Sequence, residues 1–163
     1  MRGIVHALVL ALAVSAGGCK QGDGVMPAKT GDVPNRLSDL KRDLEAVVAG
    51  DQTAVDDLAD DLSVFTEEPD GHTAIRALSN TVGSMLVKRM LTDEAMTRIV
   101  STMWTAAAGR ELSERQVDAL KDEMRSVLTT VGVSQADANL AAGRIGDVQS
   151  AVTVRERRWY ERY

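Results

Sequence analysis

The chain has a single cysteine and two histidines in 163 residues, and aromatic side chains make up only 3% of it. One cysteine closes no disulfide within the chain and cannot by itself build a thiolate zinc site. The histidines, His6 and His72, are too few for the usual multi-histidine metal centre. Phe65, Trp104, Trp159, Tyr160 and Tyr163 are the whole aromatic set, and three of the five fall in the last five residues. That is too few for an aromatic-lined sugar cleft or a small β domain. Neither a G-x-S-x-G elbow nor a Walker-type phosphate loop occurs. A Ser–His–Asp arrangement would rest on His72, with no serine marked out as its partner. The expectation is therefore a protein that is not an enzyme and needs no cofactor. A formal charge of −5 also argues against nucleic acid, whose phosphates need a basic surface.

What is present begins at the N-terminus. Arg2 is the only charged residue before Cys19, and Ile4–Val14 is nearly all Ala, Val and Leu. A basic start and an apolar run of about 7–15 residues describe an export signal. The run falls short of the ~20 residues a membrane-spanning helix needs. Ser15, Ala16, Gly17 and Gly18 then lead into Cys19. This segment resembles the signal peptide of bacterial lipoproteins. Gly17 and Gly18 fit that pattern, and Ala16 stands where Leu or Val is usual. The resemblance implies cleavage after Gly18 and lipidation of Cys19 by three acyl chains of the palmitate type. Two such chains already suffice for stable anchoring. Lys20 stands where enterobacterial lipoproteins retained in the inner membrane carry Asp, which implies the outer membrane, facing the periplasm. The competing reading is an ordinary secretory signal cut near Ala16, which leaves a free thiol.

Three segments are expected: a signal peptide (1–18), a lipidated cysteine with a flexible tether (19–34), and a helical domain (35–163). Without the signal, 145 residues remain, with 18 Lys+Arg against 24 Asp+Glu. The tether carries Gly22, Gly24, Pro27, Gly31 and Pro34. As a flexible coil it spans about 20 Å, which keeps the domain near the membrane.

Beyond Pro34 the apolar spacing is helical, and the expected fold is an all-α bundle of five to six antiparallel helices. Leu37, Leu40, Leu44 and Val47 form one stripe, ended by Gly50-Asp51. Val55, Leu58, Leu62 and Phe65 form a second. Thr66–His72 reads as a loop, with Pro69 and Gly71 as breakers. A third helix carries Ile75, Leu78, Val82, Met85 and Leu86. A fourth is capped by Thr92 and carries Met96, Ile99, Val100 and Met103, unless 73–108 is one kinked helix. Gly109 is expected as a left-handed cap. Ser113 and Gln116 predict a capping box, with Leu112 and Val117 as its staple. Val117, Leu120, Met124, Val127 and Leu128 come next, ended by Gly132. Ser134 and Asp137 start a last helix whose inward residues are expected to be Leu140, Ile145, Val148 and Val152. Gly143 and Gly146 weaken that helix unless they admit a neighbouring helix.

Three groups of side chains invite a functional reading. Eight acids lie between Asp51 and Asp70 with no Lys or Arg among them. They suit either a solvated face or an ion or basic-partner site, though EF-hand spacing is missing. His72 beside Glu67, Glu68 and Asp70, or Met85, Met90, Met96 and Met103 as thioethers, would be the metal-binding version. The third group is the C-terminal segment, where Arg155, Arg157, Arg158, Trp159 and Tyr160 crowd together. Arg and aromatics are enriched in binding hot spots. The segment reads as a partner-docking or membrane-surface element, or else as a tail folded on its own bundle.

Leu112-Ser113-Glu114-Arg115-Gln116 resembles the LTxxQ motif of the Spy/CpxP-type periplasmic chaperones, small all-helical proteins that bind unfolded clients or sense envelope stress. Leu91-Thr92-Asp93-Glu94-Ala95 is a partial second copy, with Ala95 in place of Gln. The expected function is a membrane-anchored adaptor or accessory subunit with an envelope protein as partner. A chaperone or stress sensor, and a metal-binding lipoprotein, are the alternatives.

Overall fold

The computed structural model describes residues 33–64, 66, 69–109 and 112–160, and side chains over 37–64, 66, 70–109 and 112–152. Among the described residues the fold is all-α. It comprises α1 (Val33–Ala49), α2 (Thr53–Ser63), α3 (Pro69–Leu86), α4 (Asp93–Ala108), α5 (Glu114–Thr130) and α6 (Gln135–Tyr160). The chain reverses at each short connection, as the stripes predicted. None of these helices is long and apolar enough to cross a membrane.

The reversals have identifiable chemistry. Gly50 (φ +98°) and Gly132 (φ +85°) adopt the left-handed backbone that ends a helix cheaply only at glycine. At the first, Gly50 N–H donates to the Val47 carbonyl and Asp51 N–H to that of Ala46, both at 3.0 Å. At the second, Val133 N–H reaches the Leu128 carbonyl at 2.9 Å, and the Val133 side chain is buried. Thr92 caps α4 by accepting from Ala95 N–H. Ser113 and Gln116 form the full capping box on α5. Ser134 accepts from Asp137 N–H at the start of α6.

Two turns differ from their expected form. Residues 66–72 are not all loop, because α3 starts at Pro69. Proline lacks only an N–H that the first helical turn leaves unpaired, so it opens the helix rather than breaking it. Gly109 has φ −82° and is not left-handed. A side chain there would overlap Leu112 and the Thr105 carbonyl, so this glycine makes room for Leu112 folding back over the end of α4. The segment 73–108 is two helices, parted by a turn in which Lys88 takes φ +67°.

One apolar cluster runs through all six helices. α4 is its axis and packs on each of the other five. That role comes from its broad buried face of Ala95, Met96, Ile99, Val100, Met103, Ala106 and Ala107, where small residues let neighbours close in. α6 lies on α5, α3 and α4, whereas α5 touches only α4 and α6. Leu140, expected inward, is 54% exposed. The buried line on α6 is instead Ala138, Ala141, Ala142, Ile145, Val148 and Val152, and Leu140 falls on the opposite side of that helix. Gly143 and Gly146 do not admit a helix either. A side chain at Gly143 would meet nothing, and one at Gly146 would reach only the Lys121 side chain.

Candidate functional site

The acidic stretch is the first surface to resolve into geometry. Asp51 receives the Thr53 hydroxyl at 2.7 Å and the Thr53 N–H at 2.9 Å, which opens α2. The Thr53 hydroxyl, followed by the backbone donor, holds the Asp51 carboxyl below its ordinary range. α3 supplies the side-chain partners that 51–70 lacks. Arg76 Nε lies 2.6 Å from Asp56 Oδ1, and His72 Nε2 lies 2.8 Å from Asp60 Oδ1. Among the described residues His72 thus ties α3 to α2 through Asp60. Asp43 on α1 has its carboxyl pushed up, first by burial and then by the negative charges of Asp61, Asp57 and Asp39, with Arg42 opposing. Like charges held apart on helix faces do not converge on a point. Among the described residues no group of three or more His, Cys, Asp and Glu is placed to hold a metal ion. Glu67 and Glu68 lie outside the described residues.

The methionines sort by environment. Met96 and Met103 are core residues, and Met85 packs against the core. Met90, in the turn between α3 and α4, is 97% exposed.

A second surface lies on the outer side of α6. Asn139, Leu140, Gly143, Arg144 and Asp147 line an open groove of about 310 Å³. Arg144 Nη1 donates to Asp147 Oδ2 at 3.1 Å, and Arg144 Nε is buried without a hydrogen-bond partner. Sequence periodicity hid this face, because it assigned Leu140 to the core. Alanine at 138, 141 and 142 was the signal for the true inward line.

The third surface is the end of α6. The backbone is helical to Tyr160, so Arg155, Arg157, Arg158, Trp159 and Tyr160 occupy its last two turns. Their side chains lie outside the described ones, as do Cys19 and the whole export segment. The two stretches of the chaperone-like motif are caps in the fold: Ser113 completes the box on α5, and Thr92 caps α4 alone. Comparison with protein-family models, curated proteins and solved structures finds no match.

Proposed function

We propose that the protein is a lipid-anchored component of the bacterial outer membrane, facing the periplasm, and that it acts as a non-enzymatic adaptor or accessory subunit of an envelope assembly. Cys19 carries the lipid. Arg155, Arg157, Arg158, Trp159 and Tyr160 supply a contact with the envelope. The observation that carries the reading is the apolar export run closing on the chain's sole cysteine, since acylation gives that thiol a use where it has no disulfide partner. The bundle supports it. Its core is built around α4, and its described surface presents ion pairs and helix caps, with Val64, Val87, Met90 and Leu140 as the exposed large apolar side chains.

Crosslinking in intact cells tests the adaptor role. A discrete envelope-protein adduct is expected, lost together with membrane association in Cys19→Ser. A chain that yields no protein adduct from any surface position is not an adaptor.

A closed bundle fits an adaptor better than a chaperone of the Spy/CpxP kind, for which a concave apolar cradle is expected. Suppression of client aggregation by the purified domain would reverse that preference. A metal-binding role predicts thermal stabilisation by calcium or copper.

A further inference from the structure

The ends of the bundle are not equivalent. A side chain at Gly83 would strike Val47, and one at Gly132 would meet Arg89. The C-terminal ends of α1, α3 and α5 therefore gather at one end of the bundle. Gln149 donates to the Ala106 carbonyl, which sets the later part of α6 beside the end of α4. With successive helices antiparallel, the start of α1 and the finish of α6 share the other end. The start of α1, at Val33, is where the tether from Cys19 enters.

α6 also outruns its neighbour. It has 26 residues against 17 in α5, and the two are joined by a four-residue turn. The placing of Lys121 next to Gly146 fits this antiparallel register. At 1.5 Å per residue the surplus is about 13 Å. The surplus is the segment rich in Arg and aromatics. Residues 154–163 hold four Arg and two Glu, while 19–153 hold 14 Lys+Arg and 22 Asp+Glu. This basic stretch thus stands at the tether end and projects beyond α5, while the acid-free turn with Lys88 and Arg89 marks the other end.

We infer that the projecting end of α6 lies on the anionic phospholipid surface to which Cys19 tethers the chain, making a second foot beside the lipid anchor. The inference rests on the lipid-anchored reading and names the envelope component that Arg155, Arg157, Arg158, Trp159 and Tyr160 meet. Arg is attracted to anionic headgroups, and Trp and Tyr favour the headgroup layer, where an amphipathic ring keeps one edge wet. Only 13 residues separate Cys19 from Val33, so the surface lies within reach of this end. The opposite end, with exposed Met90, then faces away from the membrane.

The test uses residues 19–163 with Cys19→Ser, which keep every described helix and remove the acyl chains. Vesicle binding then reports on the α6 end alone, while the mass of the native N-terminus reports on the anchor alone. Co-sedimentation with vesicles of 30% phosphatidylglycerol in phosphatidylcholine is expected at low salt, with little on pure phosphatidylcholine. At roughly fivefold per Arg near such a surface, the triple variant Arg155→Glu, Arg157→Glu, Arg158→Glu should lose more than tenfold in affinity. Lys88→Glu with Arg89→Glu, at the far end, should leave binding unchanged. Circular dichroism checks that each variant is folded. Failure to bind anionic vesicles, equal binding by the triple variant, or an equal loss from the far-end pair overturns the inference. So does a photoreactive residue in place of Trp159 that labels protein and no lipid in cells.

Discussion

Val47 on α1 packs directly against the backbone of α3 at Gly83. A β-carbon at position 83 would overlap Val47 Cγ1, and both residues are buried. Helical glycine normally costs about 1 kcal/mol relative to alanine, so this site gives up helix propensity for a close approach. Gly83→Ala should therefore destabilise the fold by about 1–3 kcal/mol, and Val47→Ala in the same chain should recover part of the loss. Gly143→Ala is the opposite case. The space around it is open, and it should stabilise by about 0.5–1 kcal/mol. Urea denaturation of both variants checks the contrast in sign.

Ser113 is exposed but structurally committed. Its hydroxyl oxygen accepts from Gln116 N–H, while its own N–H donates to Gln116 Oε1 at 2.9 Å. Ser113→Ala should cost about 1 kcal/mol, read as a lower urea midpoint with unchanged slope. A loss of client protection without loss of stability would instead give the motif a chaperone role.

Much of the architecture could be read from the sequence because the signals were local. The caps at Thr92, Ser113 and Ser134, the glycine turns at 50 and 132, and the stripes of α1 to α5 each depend on residues within one or two turns. The misreadings were tertiary. Pro69 opens a helix rather than ending a loop, because the effect of a proline is decided by the residues on its C-terminal side. Leu140 is exposed and Ala141 buried because the face α6 turns to its neighbours runs through Ala138, Ala141, Ala142 and Ile145, and Leu140 lies off it. Gly83 went unnoticed because nothing within its own helix marks the approach of Val47. The partners of the acidic helix, Arg76 and His72, lie 12 to 20 residues downstream and come into place only when α3 folds back.

Ser79 runs against the usual expectation for a buried polar group. Its hydroxyl is fully buried on α3 and has no hydrogen-bond partner. A hydroxyl stripped of water and left unpaired costs about 1–3 kcal/mol, so Ser79→Ala should raise stability by about 1 kcal/mol. A fall in melting temperature would mean that the hydroxyl is satisfied in solution.

Asp43 predicts an unusual pH response. Burial, with Asp61, Asp57 and Asp39 around it, lifts its folded-state carboxyl above the ordinary value. A group so raised binds its proton more readily in the folded state, so its ionisation at neutral pH works against folding. Asp43→Asn should raise the melting temperature at pH 7. That gain should shrink as pH falls through the carboxylate range. For Asp51, whose carboxyl is held low by Thr53, the sign reverses. The stability it lends is present above the ordinary carboxylate range and lost as the medium becomes acid.

In the proposed reading the address of the protein depends on the chemistry at one sulfur atom. Intact-mass and fragment-ion spectrometry of the chain purified from cell membranes reads it directly. The account predicts a mature N-terminus at Cys19, with Sγ in a thioether to a diacylglyceryl group and the α-amine acylated. A mature chain that starts nearer Ala16 and carries a bare thiol would contradict it.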